Sequence, residues 1–124
     1  ITGGKPIIMT EHRITTYTKD GIWLLGTIDD DPFQAKVCDE ASGFGIVGGR
    51  VIKLHVGGIG YDSEQIAYER GWDKYPNTAK DQALLDALLL FCASLPEQDV
   101  WRQTLREPKM FLVVDDEVLE WKDP

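Results

Sequence analysis

The chain has 124 residues, the size of one domain, and its 43% hydrophobic content supplies a core without disulfides or metals. With 21 acidic against 13 basic residues the formal net charge is −8, which disfavours direct binding of a phosphate backbone. An acidic surface fits high solubility, a basic protein partner or mimicry of nucleic acid. No apolar run approaches the ~18 residues needed to cross a bilayer, so we expect no membrane-spanning segment.

The N-terminal residues lack the pattern of a signal peptide, and Met9 is a plausible natural start. We therefore expect one domain over residues 9–124, preceded by a disordered or non-native lead of residues 1–8. Cys38 and Cys92 lie in segments with the patterns of a strand and a helix interior. Two buried thiols without a disulfide are typical of a reducing compartment, so we expect a cytoplasmic protein.

The first third of the chain has the residue types of a β-hairpin. Arg13 to Thr18 is rich in β-branched residues and ends at Asp20-Gly21, the strongest two-residue signal for a hairpin turn. Ile22 to Ile28 is the expected returning strand. Asp29 to Pro32 is expected to form the next turn, because proline and consecutive aspartates are typical turn residues.

Three further segments alternate between apolar and polar residues. In Phe33 to Val37 and in Val51 to Val56, every second residue is apolar, as expected for strands with one buried face. Gln65 to Arg70 is the fifth candidate strand. Five short strands joined by tight turns predict an antiparallel meander.

Helical patterns follow. Thr78 and Asp81 have the spacing of a capping box, and Ala83 to Cys92 is apolar nearly all round, which predicts a helix buried against the sheet. A shorter helix is expected from Pro96 to about Leu105. The last strands are expected to form a hairpin, over Met110–Val114 and Val118–Trp121.

The sequence therefore predicts an α+β fold. An antiparallel meander of about five strands packs against one main helix, and a short C-terminal helix and hairpin are added to it.

The run from Gly43 to Gly48 matches the letters G-x-G-x-x-G of a dinucleotide-binding loop. That loop requires a helix to begin at the last glycine, because the helix N-terminus binds the pyrophosphate. Here an alternating, β-branched segment follows from Arg50 to Val56. The run is therefore interpreted as a loop or bulge that enters a strand, with Phe44 and Ile46 packed on the core, and no cofactor is expected.

Two segments together resemble a known family. Ser42 to Leu54 fits S-x-[FY]-G-I-x-G-G-R-[IV]-x-K-L, and Tyr68 to Asp73 fits Y-x-R-G-W-D. Both patterns resemble those of small uncharacterised domains of unknown function carried by bacteria, phages or mobile elements. The resemblance covers about residues 22–91 and implies a strand-rich core with one packed helix, but no activity. Residues 95–124 lie outside it as a C-terminal extension.

Four residues of these motifs are candidates for ligand binding: Arg50, Arg70, Trp72 and Asp73. A tight turn at Gly71 would direct a guanidinium, an indole and a carboxylate into one cleft, where they would bind an anionic or planar ligand. Alternatively, an Arg–Asp pair beside a half-buried tryptophan stabilises the turn.

Other catalytic and metal-binding patterns are weak. His12 and His55 lack neighbours at the spacing of zinc ligands, and a Cys–His nucleophilic pair is not expected. Asp29 to Asp31 and Asp115 to Glu117 lack the spacing of an EF-hand loop. We therefore expect no metal site and no catalytic residue, and the sequence favours a protein that is not an enzyme.

The sequence favours a non-catalytic module that binds a protein partner, of phage or mobile-element origin. Its candidate anchors, where exposed, are Trp101, Phe111 and Trp121. One alternative is an inhibitor that mimics nucleic acid with a stripe of acidic residues. Another is a small anionic-ligand binder or enzyme using the Arg/Trp/Asp group. A homodimer through an edge strand is a further expectation.

Overall fold

The computed structural model describes residues 10–19, 23–58 and 64–121. Eight strands and two α-helices occupy these ranges. The strands are β1 Glu11–Lys19, β2 Trp23–Ile28, β3 Asp31–Val37, β4 Val51–Gly57, β5 Glu64–Glu69, β6 Trp72–Lys74, β7 Lys109–Val114 and β8 Glu117–Glu120, and the helices are α1 Ala79–Ser94 and α2 Gln98–Thr104. The predicted turn at Asp20-Gly21 and the predicted lead of residues 1–8 lie outside the described residues.

All eight strands belong to one sheet, in the order β6-β5-β4-β3-β2-β1-β7-β8, and every neighbouring pair is antiparallel. The first six strands follow each other as a meander. The chain then returns through α1 and α2, and β7 pairs with the outer side of β1, with Ile14 opposite Phe111. The C-terminal hairpin therefore extends the same sheet.

The predicted fold class is wrong in its architecture. An α+β meander of about five strands on one main helix was expected, and the structure has a mainly β fold with an eight-stranded sheet and two helices. Two features account for the difference. The hairpin joins β1 across about a hundred residues of chain, and β6 has three residues, too few to produce a periodic pattern.

The individual elements match the sequence patterns more closely. Each of the five predicted strands overlaps an observed strand, from β1 to β5, and the two helices and the terminal hairpin are present. Thr78 caps α1, because its hydroxyl accepts a hydrogen bond of 3.0 Å from the backbone N–H of Asp81. No helix in the described ranges has the length and apolar content to cross a membrane.

The two faces of the sheet differ. On the covered face, the helices pack on alternate strand residues and form one hydrophobic core. Its most completely buried large side chains include Ile14, Leu24, Leu54, Leu88, Phe91 and Trp101. The opposite side, here called the open face, has neither helix against it and carries the intervening residues, among them Trp23, Lys36, Lys53 and His55.

Candidate functional site

The glycine run forms a closed loop, here called the glycine loop and defined as Ser42–Gly49. The backbone N–H of Ser42 donates to the carbonyl oxygen of Gly49 at 2.9 Å, so the two ends of the loop meet. A Cβ atom on Gly45 would lie 1.9 Å from that same oxygen, and only glycine fits. A 3₁₀ turn at Ile46–Gly48 leads into β4. Because a strand follows, this loop lacks the helix N-terminus of a phosphate site.

The glycine loop exposes two apolar side chains. Phe44 is 63% exposed and Val47 is 92% exposed, whereas Ile46 between them is buried. The expectation that Phe44 and Ile46 both pack on the core is thus confirmed for Ile46 and wrong for Phe44. Val47 has φ of 54°, a left-handed conformation that β-branched residues rarely adopt. The backbone around Phe44 is held in place, because the hydroxyl of Tyr68 donates to its carbonyl oxygen at 2.7 Å.

A groove of about 430 Å³ lies between the glycine loop and α1. Ile46 and Val47 line one side, and Leu89, Leu90 and Ala93 line the other. Leu89 and Leu90 are half-buried. We call Val47, Leu89 and Leu90 of the groove, together with the exposed Phe44 of the same loop, the loop-groove surface.

Three aromatic rings, on β5, on β6 and directly after β6, form a row beside the glycine loop. The ring of Trp72 meets Tyr68 edge-on and stacks on Tyr75, in both cases with 5.0 Å between ring centroids. Tyr68 is buried, Trp72 is half-buried and Tyr75 is 66% exposed. The indole of Trp72 is therefore held between two rings, next to the loop that Tyr68 supports.

Arg50 has a structural position. Its guanidinium donates to five backbone carbonyl groups, one from the end of β3 and four around the C-terminus of α1: Cys38, Cys92, Ala93, Leu95 and Pro96. These acceptors include carbonyl groups that the last turn of a helix leaves without partners. Its guanidinium is thus directed at the end of α1, although Arg50 also lines the groove.

The other motif residues lie in the turn between β5 and β6. Arg70 is exposed with φ of 58°, and its backbone N–H donates to the carbonyl oxygen of Ile52 at 2.9 Å. Asp73 is exposed on β6. Both side chains are described, and they form no ion pair with each other. The structure brings Trp72 to Tyr68 and Tyr75, while the guanidinium of Arg50 contacts the end of α1. The ligand-site interpretation stays a prediction.

The three candidate anchor residues have different environments. Trp101 is 1% exposed and belongs to the core. Phe111 is half-buried and packs on Phe91, with ring centroids 4.9 Å apart. Trp121 is 51% exposed at the end of the described chain, where its backbone N–H donates to Met110. Of the three residues, Trp121 thus has the largest exposed fraction.

The aspartates of the two acidic turns have partners on or beside β1. The carboxylate of Asp29 accepts from the backbone N–H of Arg13 at 2.8 Å and lies 2.6 Å from Nδ1 of His12. Asp115 accepts from the backbone N–H of Thr10 at 3.2 Å. In the described part of the chain, no three His, Cys, Asp or Glu side chains are grouped to hold a metal ion.

Both cysteines are thiols without a disulfide; Cys92 is buried and Cys38 is half-buried. Burial raises the pKa of the Cys92 thiol to about 12, and the positive charge of Arg50 offsets this only in part. A thiol with such a pKa is almost wholly protonated at neutral pH. Cys92 therefore lacks the thiolate that a nucleophile or metal ligand needs.

Sequence reasoning missed one arrangement on the open face. Lys36 and Lys53 lie directly opposite each other on β3 and β4, and the Lys53 ammonium is 6.0 Å from the ring centroid of Trp23. His55, also on β4, contacts Glu69 at 2.9 Å and Glu64 at 3.3 Å. Alternation placed Lys36, Lys53 and His55 on outward positions, but only the register of β3 and β4 shows which of them are neighbours.

The sequence model of a family described as "Domain of unknown function (DUF7678)" matches residues 22–93. No curated protein and no solved structure shows significant similarity to the chain. The match includes both motifs, β2 to β6 and nearly all of α1, whereas β1, α2 and the C-terminal hairpin lie outside it. The resemblance to a family of unknown function is thus confirmed, while its motif consensus and bacterial or phage origin stay predictions. Because the match spans more than half of the 124 residues, the chain belongs to the family Domain of unknown function (DUF7678).

Proposed function

We propose that this domain is a non-catalytic protein-interaction module that contacts its partner through the loop-groove surface. The observation that carries the proposal is Val47, a β-branched residue that is 92% exposed in a left-handed conformation. Such a conformation destabilises the folded chain, and strain of this kind concentrates at functional sites. In the isolated domain, burial of the valine side chain does not offset this cost, because the side chain is exposed. A partner that covers the side chain would offset it.

The apolar pattern of α1 supports the same surface. A helix that is apolar nearly all round is normally buried on all sides. In α1, Leu84, Leu88 and Phe91 enter the core, but Leu89 and Leu90 are left half-buried beside the glycine loop. These side chains line the groove of about 430 Å³, which has room for one or two apolar side chains of a partner.

The chemistry of the partner follows from the rim. Asp86 lines the groove next to its apolar residues, and the chain has a net charge of −8. A protein segment with apolar side chains flanked by lysine or arginine fits both properties, since charge complementarity accelerates encounter and apolar contacts hold the complex.

The polar candidate residues favour binding over catalysis. The Arg50 guanidinium donates to backbone carbonyl groups, and the Asp29 carboxylate accepts from the backbone of β1. Cys92 has a raised pKa and is buried. These groups have structural partners instead of the mutual contacts of a nucleophile and its base.

Two alternative functions rest on weaker support. Mimicry of nucleic acid needs ordered acidic residues, and Asp86, Asp115 and Asp116 do line one cleft of about 480 Å³ between α1 and the sheet. The other alternative is a small-ligand site formed by Arg50, Arg70, Trp72 and Asp73. In that site the Arg50 guanidinium would have to leave its backbone carbonyl acceptors in order to bind the ligand. The loop-groove surface needs no such rearrangement, so the interaction module is preferred.

The proposal is tested with a Phe44→Ser, Val47→Ser double variant and a matched Val100→Ser control, since Val100 on α2 is also exposed. Each protein, immobilised, is incubated with cell lysate, and captured proteins are quantified by mass spectrometry. We expect a partner that wild type and control retain equally and the double variant loses at least tenfold. A purified partner must then bind with the same pattern in calorimetry. Equal binding to all three proteins would contradict the proposed surface.

A further inference from the structure

The open face brings two like charges together. Lys36 on β3 lies directly opposite Lys53 on β4, an arrangement that destabilises a sheet. In the described part of the chain, no carboxylate lies within 4.0 Å of either ammonium group. The Lys53 ammonium instead lies 6.0 Å from the ring centroid of Trp23. Two adjacent ammonium groups without a close carboxylate attract an anion.

Register extends this pair into a row across four strands. Leu24 lies opposite Ala35, which places Trp23 beside Lys36, and Lys19 lies opposite Trp23. Lys19, Trp23, Lys36 and Lys53 therefore cross β1 to β4 in order; we call them the basic row. Adjacent strands are about 4.8 Å apart, so the row spans roughly 14 Å. This length suits a flexible polyanion better than a single phosphate.

The net charge of −8 conceals this row because it averages two unlike surfaces. Acidic residues of the helices, such as Asp86 and Asp99, belong to the elements that pack on the covered face. On the open face, the ionised residues of β3 and β4 near the row are Lys36 and Lys53, and the acid opposite Lys53 is Glu69 on β5. The Glu69 carboxylate bonds to His55 at 2.9 Å and also attracts Lys53, but it does not lie within 4.0 Å of the Lys53 ammonium.

We propose that the basic row binds single-stranded nucleic acid. Lys19, Lys36 and Lys53 contact successive phosphate groups, and one base stacks on Trp23. In the unbound chain the ammonium of Lys53 covers the indole ring. On binding, the ammonium moves to a phosphate and a base takes its place on the ring, so the cation–π contact is replaced by a stacking contact.

Trp23 decides between possible polyanions. An acidic peptide supplies carboxylates to the lysines but no planar ring to the indole. A duplex keeps its bases stacked inside and presents only phosphates. A single strand supplies both phosphates and accessible bases, which is the combination that aromatic residues and lysines on a sheet recognise.

Binding of the full chain to a fluorescein-labelled oligothymidylate of about 20 nucleotides is measured by fluorescence anisotropy at low salt. We expect saturable binding. The logarithm of the association constant should fall linearly with the logarithm of the salt concentration, with a slope of about −2 for three phosphate contacts. A double variant, Lys36→Gln and Lys53→Gln, is expected to weaken binding at least tenfold and to reduce the slope of the salt dependence to about −0.7. Lys80→Gln, an exposed lysine on α1, is the matched control and is expected to change affinity less than about twofold.

Trp23→Phe is expected to lower affinity about threefold and to remove most of the tryptophan quenching that the oligonucleotide causes. Thermal unfolding verifies that the variants fold, and loss of the Lys36–Lys53 repulsion is expected to leave the melting temperature unchanged or higher. The Phe44→Ser, Val47→Ser variant is expected to bind the oligonucleotide as wild type does, which separates this proposal from the loop-groove surface.

Three results would overturn the proposal. The first is the absence of saturable binding at low salt, and the second is an equal loss of affinity in the Lys80→Gln control. The third is binding of poly-glutamate or of duplex DNA as tight as that of the oligonucleotide, which would assign the row to a different polyanion.

Discussion

Arg50 donates a hydrogen bond of 2.6 Å from Nη1 to the carbonyl oxygen of Leu95, 45 residues further along the chain. The contact joins the beginning of β4 to the end of α1. Cys92 and Pro96 also accept from the same guanidinium, at 3.2 and 3.0 Å. Charged donors at a helix C-terminus stabilise carbonyl groups that lack partners in the last turn. Arg50 therefore positions α1 over the sheet.

Arg50→Ala is expected to lower the free energy of unfolding by about 3 kcal/mol, because several partly buried carbonyl groups lose a charged donor. Arg50→Lys is expected to recover only part of this loss, since an ammonium cannot reach the carbonyl groups of both Cys38, after β3, and Leu95, after α1, as the planar guanidinium does. Urea unfolding measures both values. The exposed Arg106→Ala variant serves as control, and an unchanged midpoint for Arg50→Ala would leave Arg50 available as a ligand group.

Gly45→Ala is expected to destabilise the domain by at least about 2 kcal/mol, because the added Cβ would lie 1.9 Å from the carbonyl oxygen of Gly49 and force the loop ends apart. Gly43→Ala is the matched control, since nothing lies within 4 Å of its added Cβ. Thermal unfolding measures the melting temperatures of the two variants. Equal melting temperatures would mean that the glycine loop opens without loss of stability.

Local patterns predicted the elements but not their assembly. β-Branched residues beside a hairpin-turn signal identified β1 and β2, and alternation identified β3 to β5. The capping pattern placed the start of α1 at Thr78, because burial and capping act between residues close in sequence. The pairing of β1 with β7 depends on contacts between residues about a hundred positions apart. Nothing in the local pattern encodes that pairing, so the eight-stranded sheet was not predicted.

The candidate site shows the same limit. Arg50 and Trp72 were selected as motif residues, yet the five acceptors of Arg50 and the rings around Trp72 follow from tertiary contacts. Trp101 has the same residue type as Trp121, but the fold buries one and exposes the other. Composition shows the net charge, whereas the opposition of Lys36 and Lys53 depends on strand register.

Val47→Gly is expected to raise the free energy of unfolding by about 1 kcal/mol, since glycine adopts φ of 54° without the steric cost of a β-branched residue. Val47→Ala removes the exposed side chain but keeps the left-handed cost, and is expected to give a smaller gain. Urea unfolding compares the two variants. If the proposed loop-groove surface is correct, both lose partner affinity. A decrease in stability for Val47→Gly would show that Val47 is not strained.

The contacts of His55 make stability depend on pH. Burial lowers the pKa of His55, but hydrogen bonds and negative charge from Glu69 and Glu64 outweigh it and raise the pKa above the ordinary 6.5. The hydrogen bond from His55 lowers the pKa of Glu69 below 4.5, against the opposing effect of burial. The His55 contribution is complete below pH 6.5 and is lost as pH rises through the folded pKa. That of Glu69 is present above pH 4.5 and is lost as pH falls through its folded pKa.

The interaction is thus expected to stabilise the domain most between about pH 4.5 and 6.5, and His55→Gln is expected to flatten this part of the profile. Melting temperatures from pH 4 to 9 measure the difference between wild type and variant, which should narrow as pH rises above the folded pKa of His55. In an NMR titration, Glu69→Gln is expected to lower the pKa of His55, because the variant removes a carboxylate 2.9 Å from Nε2. The difference in melting temperature between wild type and His55→Gln could instead be constant across this pH range. That result would show that the two carboxylates do not act through the charge of His55.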